Sequence, residues 1–244
     1  MSNYAGYFEA ASELITRLSK DEEQNLEKAA IRLFETVKSK SLIHVFGSGH
    51  SHMGAEELFE RAGGIAGINP ILDISIMPMS RISSDLERTH GFGKLMFDYY
   101  APKAAPADTA IIISNSGRNP LPIEVALEAK ARGVPVIALT SVAHAKAFRS
   151  RHASGKLLVD FADIVVDTHV PAGDATVDIA DGLKAGPLST IAVVCILNDL
   201  VVRVCRMLIA AGIDPPIFRS ANVDGSENKN AMFMRSFEGR GRLI

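Results

Sequence analysis

Tryptophan is absent, cysteine occurs twice, and aromatic residues make up 6% of this 244-residue chain. Cys195 and Cys205 stand in a helical pattern at a spacing that puts them on different faces, so no disulfide joins them. A reducing, cytoplasmic compartment is the expectation. An excess of either charge is also missing: 26 Lys plus Arg against 28 Asp plus Glu leave a net charge of −2. Without a broad basic field, nucleic acid is not an expected partner, and any anion must be caught by local groups. Long hydrophobic runs are lacking too. The most apolar stretch, Leu188 to Ala211, is interrupted by Asn198, Asp199, Arg203 and Arg206, which fits a buried core helix better than a membrane span. The opening Met1-Ser-Asn-Tyr-Ala-Gly-Tyr-Phe-Glu9 carries neither the basic region nor the apolar stretch of an export signal, and no repeat or low-complexity segment is present.

What the chain has is 47% hydrophobic residues against 22% charged, enough for a sizeable core. Apolar residues recur at helical spacing over 3–18 and 21–39, and Ser19 with Glu22 has the form of a capping box for the second helix. These two helices, residues 1–40, are expected to pack on the remainder or on a second copy of the chain. From Ser41 to the end, β-rich segments near 41–46, 70–75, 109–114, 134–140 and 163–168 alternate with helical patterns at 51–62, 120–132 and 188–211. The alternation predicts a doubly wound α/β domain, a parallel five-stranded sheet with helices on both faces. Residues 76–108 read as an irregular, long connection, of a kind that is more often functional than not, and the chain after Gly212 begins irregular and stays polar to the end.

Two strands stop abruptly at Gly/Ser loops: Ser41–Phe46 runs into Gly47-Ser-Gly-His-Ser51, and Thr109–Ser114 into Asn115-Ser-Gly-Arg-Asn119. A strand, a tight loop and a helix N-terminus gather N–H groups, hydroxyls and a helix dipole at one point, as an anion requires. The alternative is an ordinary strand-to-helix turn, for which Ser, Asn and Gly are common. A dinucleotide fingerprint is disfavoured because His52 stands where the third glycine would be, and no triphosphate-binding loop is present. No cofactor is implied. Asn119 is a good N-cap and Pro120 suits the first helical position; with Pro122 it removes two donors, shifting the load to the Ser114 and Ser116 hydroxyls and the loop amides. Of Glu56, Glu57 and Glu60, the first and last share a helical face, where a solvated surface competes with a catalytic base. His50 and His52 lack a third ligand at metal spacing, so no metal is indicated. Arg151, His152 and Lys156 read as a basic surface loop or a phosphate contact. Ser189 and Thr190 cap or bind at the last helix.

Together these residues resemble the sugar isomerase (SIS) domain family of phosphosugar-binding proteins, from about Ser41 to Val202. The resemblance rests on Gly47–Ser51, on Ser114–Asn119 with the trailing Ala129-Lys-Ala-Arg-Gly-Val-Pro-Val-Ile-Ala-Leu-Thr140, and on Gly186-Pro-Leu-Ser-Thr190. It implies a phosphorylated sugar held by Gly49, Ser51, Ser114, Asn115, Ser116, Gly117, Arg118 and Asn119, with His50, His52, Lys156, Ser189 and Thr190 around it. The run from Gly47 through Glu60 is similar to that of phosphoheptose isomerases and puts Glu60 at their catalytic glutamate; His90 and His152 are candidates to polarise the carbonyl. The Ser-Gly-Arg form is closer to the N-acetylmuramic acid 6-phosphate etherases. The implied activity is aldose–ketose isomerisation through an enediol, with an etherase-like lyase or a non-catalytic phosphosugar sensor as alternatives. The implied assembly is a homodimer or homotetramer. Neither the His/Gln pattern that supplies the acid of the former nor the second glutamate motif of the latter is found.

Overall fold

Five short β-branched runs are buried along their length because a parallel sheet is covered on both faces. In the computed structural model, which describes residues 6–223 and 227–244, they are β1 (Ile43–Gly47), β2 (Ile68–Ile71), β3 (Thr109–Ile113), β4 (Val136–Thr140) and β5 (Ile164–Asp167), ordered β2-β1-β3-β4-β5. All pairings are parallel, with Val45 opposite Pro70 on one side and Ile111 on the other. Pro70 has no N–H to donate and is tolerated because β2 lies at an edge.

Alternate residues divide between two cores. Ile43, Val45, Ile111, Ile113, Ile137 and Leu139 face a layer built from α1 (Tyr7–Asp21), α2 (Glu23–Lys38), α3 (Met53–Leu58) and α8 (Ser189–Ala210). Phe46, Ala110, Ile112, Val136 and Ala138 face α5 (Phe92–Tyr100) and α6 (Pro120–Ala131). The apolar stripes of α1 and α2 thus find their partner within the chain, in the core shared by α8 and the sheet. Smaller helices are α4 (Ser83–Leu86), α7 (Val142–Ala147) and α9 (Glu227–Phe237), and an antiparallel hairpin, β6 (Ala175–Ala180) with β7 (Leu183–Pro187), precedes α8. Among the described residues no helix is long and apolar enough to cross a membrane.

Several expectations are corrected. The capping box does not form: Ser19 is still helical and donates to Thr16 O, while the buried Glu22 accepts from Asp167 N (3.1 Å) and lies 2.8 Å from His169 Nε2. Residues 51–62 are not one helix but a 3₁₀ turn, Gly49–His52, followed by the six-residue α3. Glu60 therefore leaves the helix, at φ +43°, and no longer shares a face with Glu56. The second strand is Ile68–Ile71, not 70–75, and the stretch 76–108 contains α4 and α5. The C-terminal segment does not stay polar to its end, since it contains α9, whose Phe233 and Phe237 pack with Leu42, Ala66 and Phe218.

Candidate functional site

In this strand order β1 leads away to β2 on one side and β3 to β4 on the other, so the loops after β1 and β3 flank the topological switch point at the carboxyl edge. Both Gly/Ser loops are there. The first is drawn tight: a Cβ on Gly47 would stand 2.2 Å from the Ser51 carbonyl oxygen, and Gly49 has φ +55°. His52 turns inward, its Nδ1 against Gly49 O, so it braces the loop. Close helix-to-sheet packing falls instead to Gly54, where a Cβ would meet Ile113 and Val193 at 2.5 and 2.8 Å.

The second loop closes on itself through Gly117 N donating to Ser114 Oγ (3.2 Å), with Gly117 at φ +58°. Asn115 is held by Ser141 N at its carbonyl and Thr168 Oγ1 at its side chain. Asn119 occupies the N-cap position of α6 with Pro120 first in the helix, but its side chain does not cap; Oδ1 accepts from Arg151 Nη1 at 2.8 Å. Residues 149–158 form a strap over this loop, tied by Arg151 N to Arg118 O and Leu158 N to Gly117 O (both 2.8 Å). The strap brings Arg151 to the loop rather than leaving it as a detached basic surface.

Three buried side-chain polar atoms lack a hydrogen-bond partner among the described residues: Asn69 Oδ1, Arg118 Nε and His144 Nδ1. Two of the three adjoin this loop. Arg118 lies over the Phe148 ring (5.2 Å), which also stacks on His144. Burial, reinforced by Arg118, holds the His144 imidazole below its ordinary pKa. Arg151 is exposed, but slight desolvation together with repulsion from Arg118 and Arg88 holds it below the usual guanidinium range. Arg118 and Arg88 are thus both close enough to act on Arg151, and the Arg118 Nε donor is unpaired among the described residues.

The expected residues divide into groups. His50, Ser51, Asn115, Ser189 and Thr190 line one small cleft with Thr168. Ser189 is engaged there, its hydroxyl donating to Asp174 Oδ2 at 2.6 Å. Ser114, Ser116, Gly117, Arg118 and Asn119 form the neighbouring loop. His90 and His152 come together, ring centroids 5.5 Å apart. Lys156 is exposed over the Phe161 ring. Glu60 is not with them: it lines a separate cavity of about 460 Å³ with Phe59, Phe218, Phe233 and Phe237, and partial burial there raises its carboxyl above the ordinary range. Sequence reasoning missed Arg88, Glu124 and His144. For His144 the signal was available, a Ser141-x-x-His144 turn directly after β4 at the carboxyl edge.

Comparison with known proteins agrees with this geometry. Residues 6–141, more than half the chain, match the family model described as "SIS domain". A UPF0309 protein of Caldanaerobacter subterraneus is 40% identical over 244 residues, covering 98% of both chains, and one of Streptomyces griseus is 38% identical over 247 residues, covering 98% of this chain and 97% of the other. Among solved structures, phosphoheptose isomerase from Neisseria gonorrhoeae superposes with a TM-score of 0.54 at 19% identity, over 84% of this chain and 96% of that one. The phosphoheptose isomerase from Francisella tularensis gives 0.52 at 16% identity, over 82% and 95%. A switch-point sheet carrying two Gly/Ser loops, matched by the family model and by full-length relatives, places this chain in the SIS domain family, among the UPF0309 proteins.

Proposed function

We propose that the protein binds a phosphorylated sugar at the switch point and interconverts its aldose and ketose forms. The carrying observation is the unpaired, buried Arg118 Nε beside Arg88 and Arg151 at the Ser114–Asn119 loop. In this reading Ser114, Ser116, Arg118 and the loop amides take the phosphate, Ser51 approaches from the first loop, and His144 adds a donor when protonated. His90 and His152 face the sugar and polarise its carbonyl. A base then moves a proton between adjacent carbons through an enediol, a step that a positioned side chain accelerates by roughly 10²–10⁴-fold.

The base is assigned to Glu60 of a second copy of the chain. Within one protomer Glu60 faces another cavity, so the assignment needs a homodimer or homotetramer to deliver it. Exposed apolar side chains on α1 and α8, Phe8 (88% exposed), Ile15, Val202 and Ile209, supply a surface for such an assembly. Glu87, which accepts from Ser48 Oγ at 2.6 Å, is the acid that the same protomer holds at the first loop and serves as the internal comparison. With an aldose or ketose phosphate in deuterated water, Glu60→Gln is expected to abolish exchange at C2 while phosphate binding persists. Wild-type exchange in that variant, with loss in Glu87→Gln, would transfer the role to Glu87.

The placement of Glu60 favours one second reading, a phosphosugar-binding protein without turnover. It predicts saturable binding with no C2 exchange in the unmodified protein. Either reading requires a melting-temperature rise with sugar phosphates and none with the free sugars; a ligand at 100 times its Kd adds about 2.7 kcal/mol.

A further inference from the structure

A second cluster of polar groups stands beside the anion loop. His90 lies in the turn before α5, Glu124 on α6 and His152 in the strap, and one ligand atom from each lies within 4.8 Å of the other two. His90 Nδ1 is 3.5 Å from Glu124 Oε1. The carboxylate is fixed from behind: Gly91 N donates to Oε1 (2.8 Å) and Gly93 N to Oε2 (2.9 Å), which also moors the turn that carries His90. Each carboxylate oxygen keeps a further lone pair. His152 Nδ1 is 2.8 Å from Ser154 Oγ and accepts from Ser154 N (3.3 Å), while Nε2 has no hydrogen-bond partner among the described residues. With an ion on Nε2 the ring proton would move to Nδ1 and face Ser154 Oγ, the kind of oxygen partner that steadies metal-ligating histidines.

Two imidazoles and one carboxylate, from three separate segments, form a donor set used by open zinc sites. Imidazole ligands favour late transition metals, whereas Mg²⁺ and Ca²⁺ prefer all-oxygen shells. We propose that His90, Glu124 and His152 bind one divalent cation of the Zn²⁺ class, with a coordination position left open on the side of the half-exposed His90. The inference concerns affinity for the ion alone and is tested without a sugar; where the sugar reading also holds, the ion held by His90 and His152, rather than the bare imidazoles, would polarise the carbonyl.

The test uses the full chain, stripped with a chelator and dialysed, then titrated with Zn²⁺ by calorimetry and with Co²⁺ by visible absorption. One equivalent per chain is expected. His152→Ala, on the exposed strap, and His90→Ala should each weaken binding by about 10-fold or more. Melting curves of the metal-free variants should match the parent and separate a lost ligand from a lost fold. Absence of saturable Zn²⁺ or Co²⁺ binding would overturn the proposal, as would undiminished binding in the His90→Ala/His152→Ala double variant.

Discussion

Arg118 is the residue on which the proposed site turns. Its side chain makes no hydrogen bond to the described residues, and it rests on Phe148 with Nε buried and unpaired. A buried polar group left this way costs free energy in the empty protein, and a bound oxyanion removes that cost. Hydrogen bonds to charged groups contribute about 1.5–3 kcal/mol each. Arg118→Ala is therefore expected to weaken phosphate-ester binding by about 10- to 100-fold while leaving the unliganded melting temperature nearly unchanged; titration calorimetry of the variant checks this. An unaltered Kd would remove Arg118 from the site. Asn119 shows how a residue can be placed correctly by sequence and still act differently. Its N-cap position was readable, but its side chain serves Arg151, a partner distant in sequence that no local pattern reveals.

At the scale of elements, the hairpin before α8 acts as a cap. Asp174, at φ +68°, accepts from Leu188 N, Ser189 N and Ser189 Oγ, putting a carboxylate at the positive end of the 22-residue α8. Asp174→Ala should cost about 1–2 kcal/mol, read as a melting temperature about 2–8 °C lower. Asp174→Asn, which tolerates the left-handed backbone, should lose less. The hairpin leaves little trace in the sequence beyond Asp181-Gly182, a strong turn signal between its strands, because exposed strands alternate weakly. The parallel strands were legible because both faces are buried, which makes them continuous apolar runs. The helix after the first loop was overextended for the opposite reason. Glu56, Glu57 and Glu60 fit a helical period, but α3 ends at Leu58 and period alone carries no stop signal. Glu124 was hidden among ordinary helix glutamates, and only the fold brings it to His90 and His152.

Across the whole molecule, a buried polar network fixes the amino edge of the sheet. Asn69 Nδ2, a donor only, is 2.8 Å from His44 Nδ1, which places the ring proton on Nε2, 3.2 Å from Asp108 Oδ2. Burial opposes the Asp108 charge, but hydrogen bonds from His44, Leu42 N and Ala105 N outweigh it and hold the carboxyl below its ordinary value. A lowered folded pKa gives stability that is complete above the unfolded value, about 3.9, and lost as pH falls through the folded one. Asp108→Asn should thus be less stable than the parent at pH 7, with the deficit shrinking below about pH 4; urea melts at both pH values measure it. The lateral edge at β5 is settled differently. β5 has one neighbour, and the outward amides of such a strand are the kind that recruit another strand. Glu22, reaching from the α1–α2 junction, already accepts from Asp167 N, and aspartates stand at positions 163 and 167. That edge is thereby blunted rather than left as a template for aggregation, and the assembly proposed above would use helical faces instead of extending one sheet between copies.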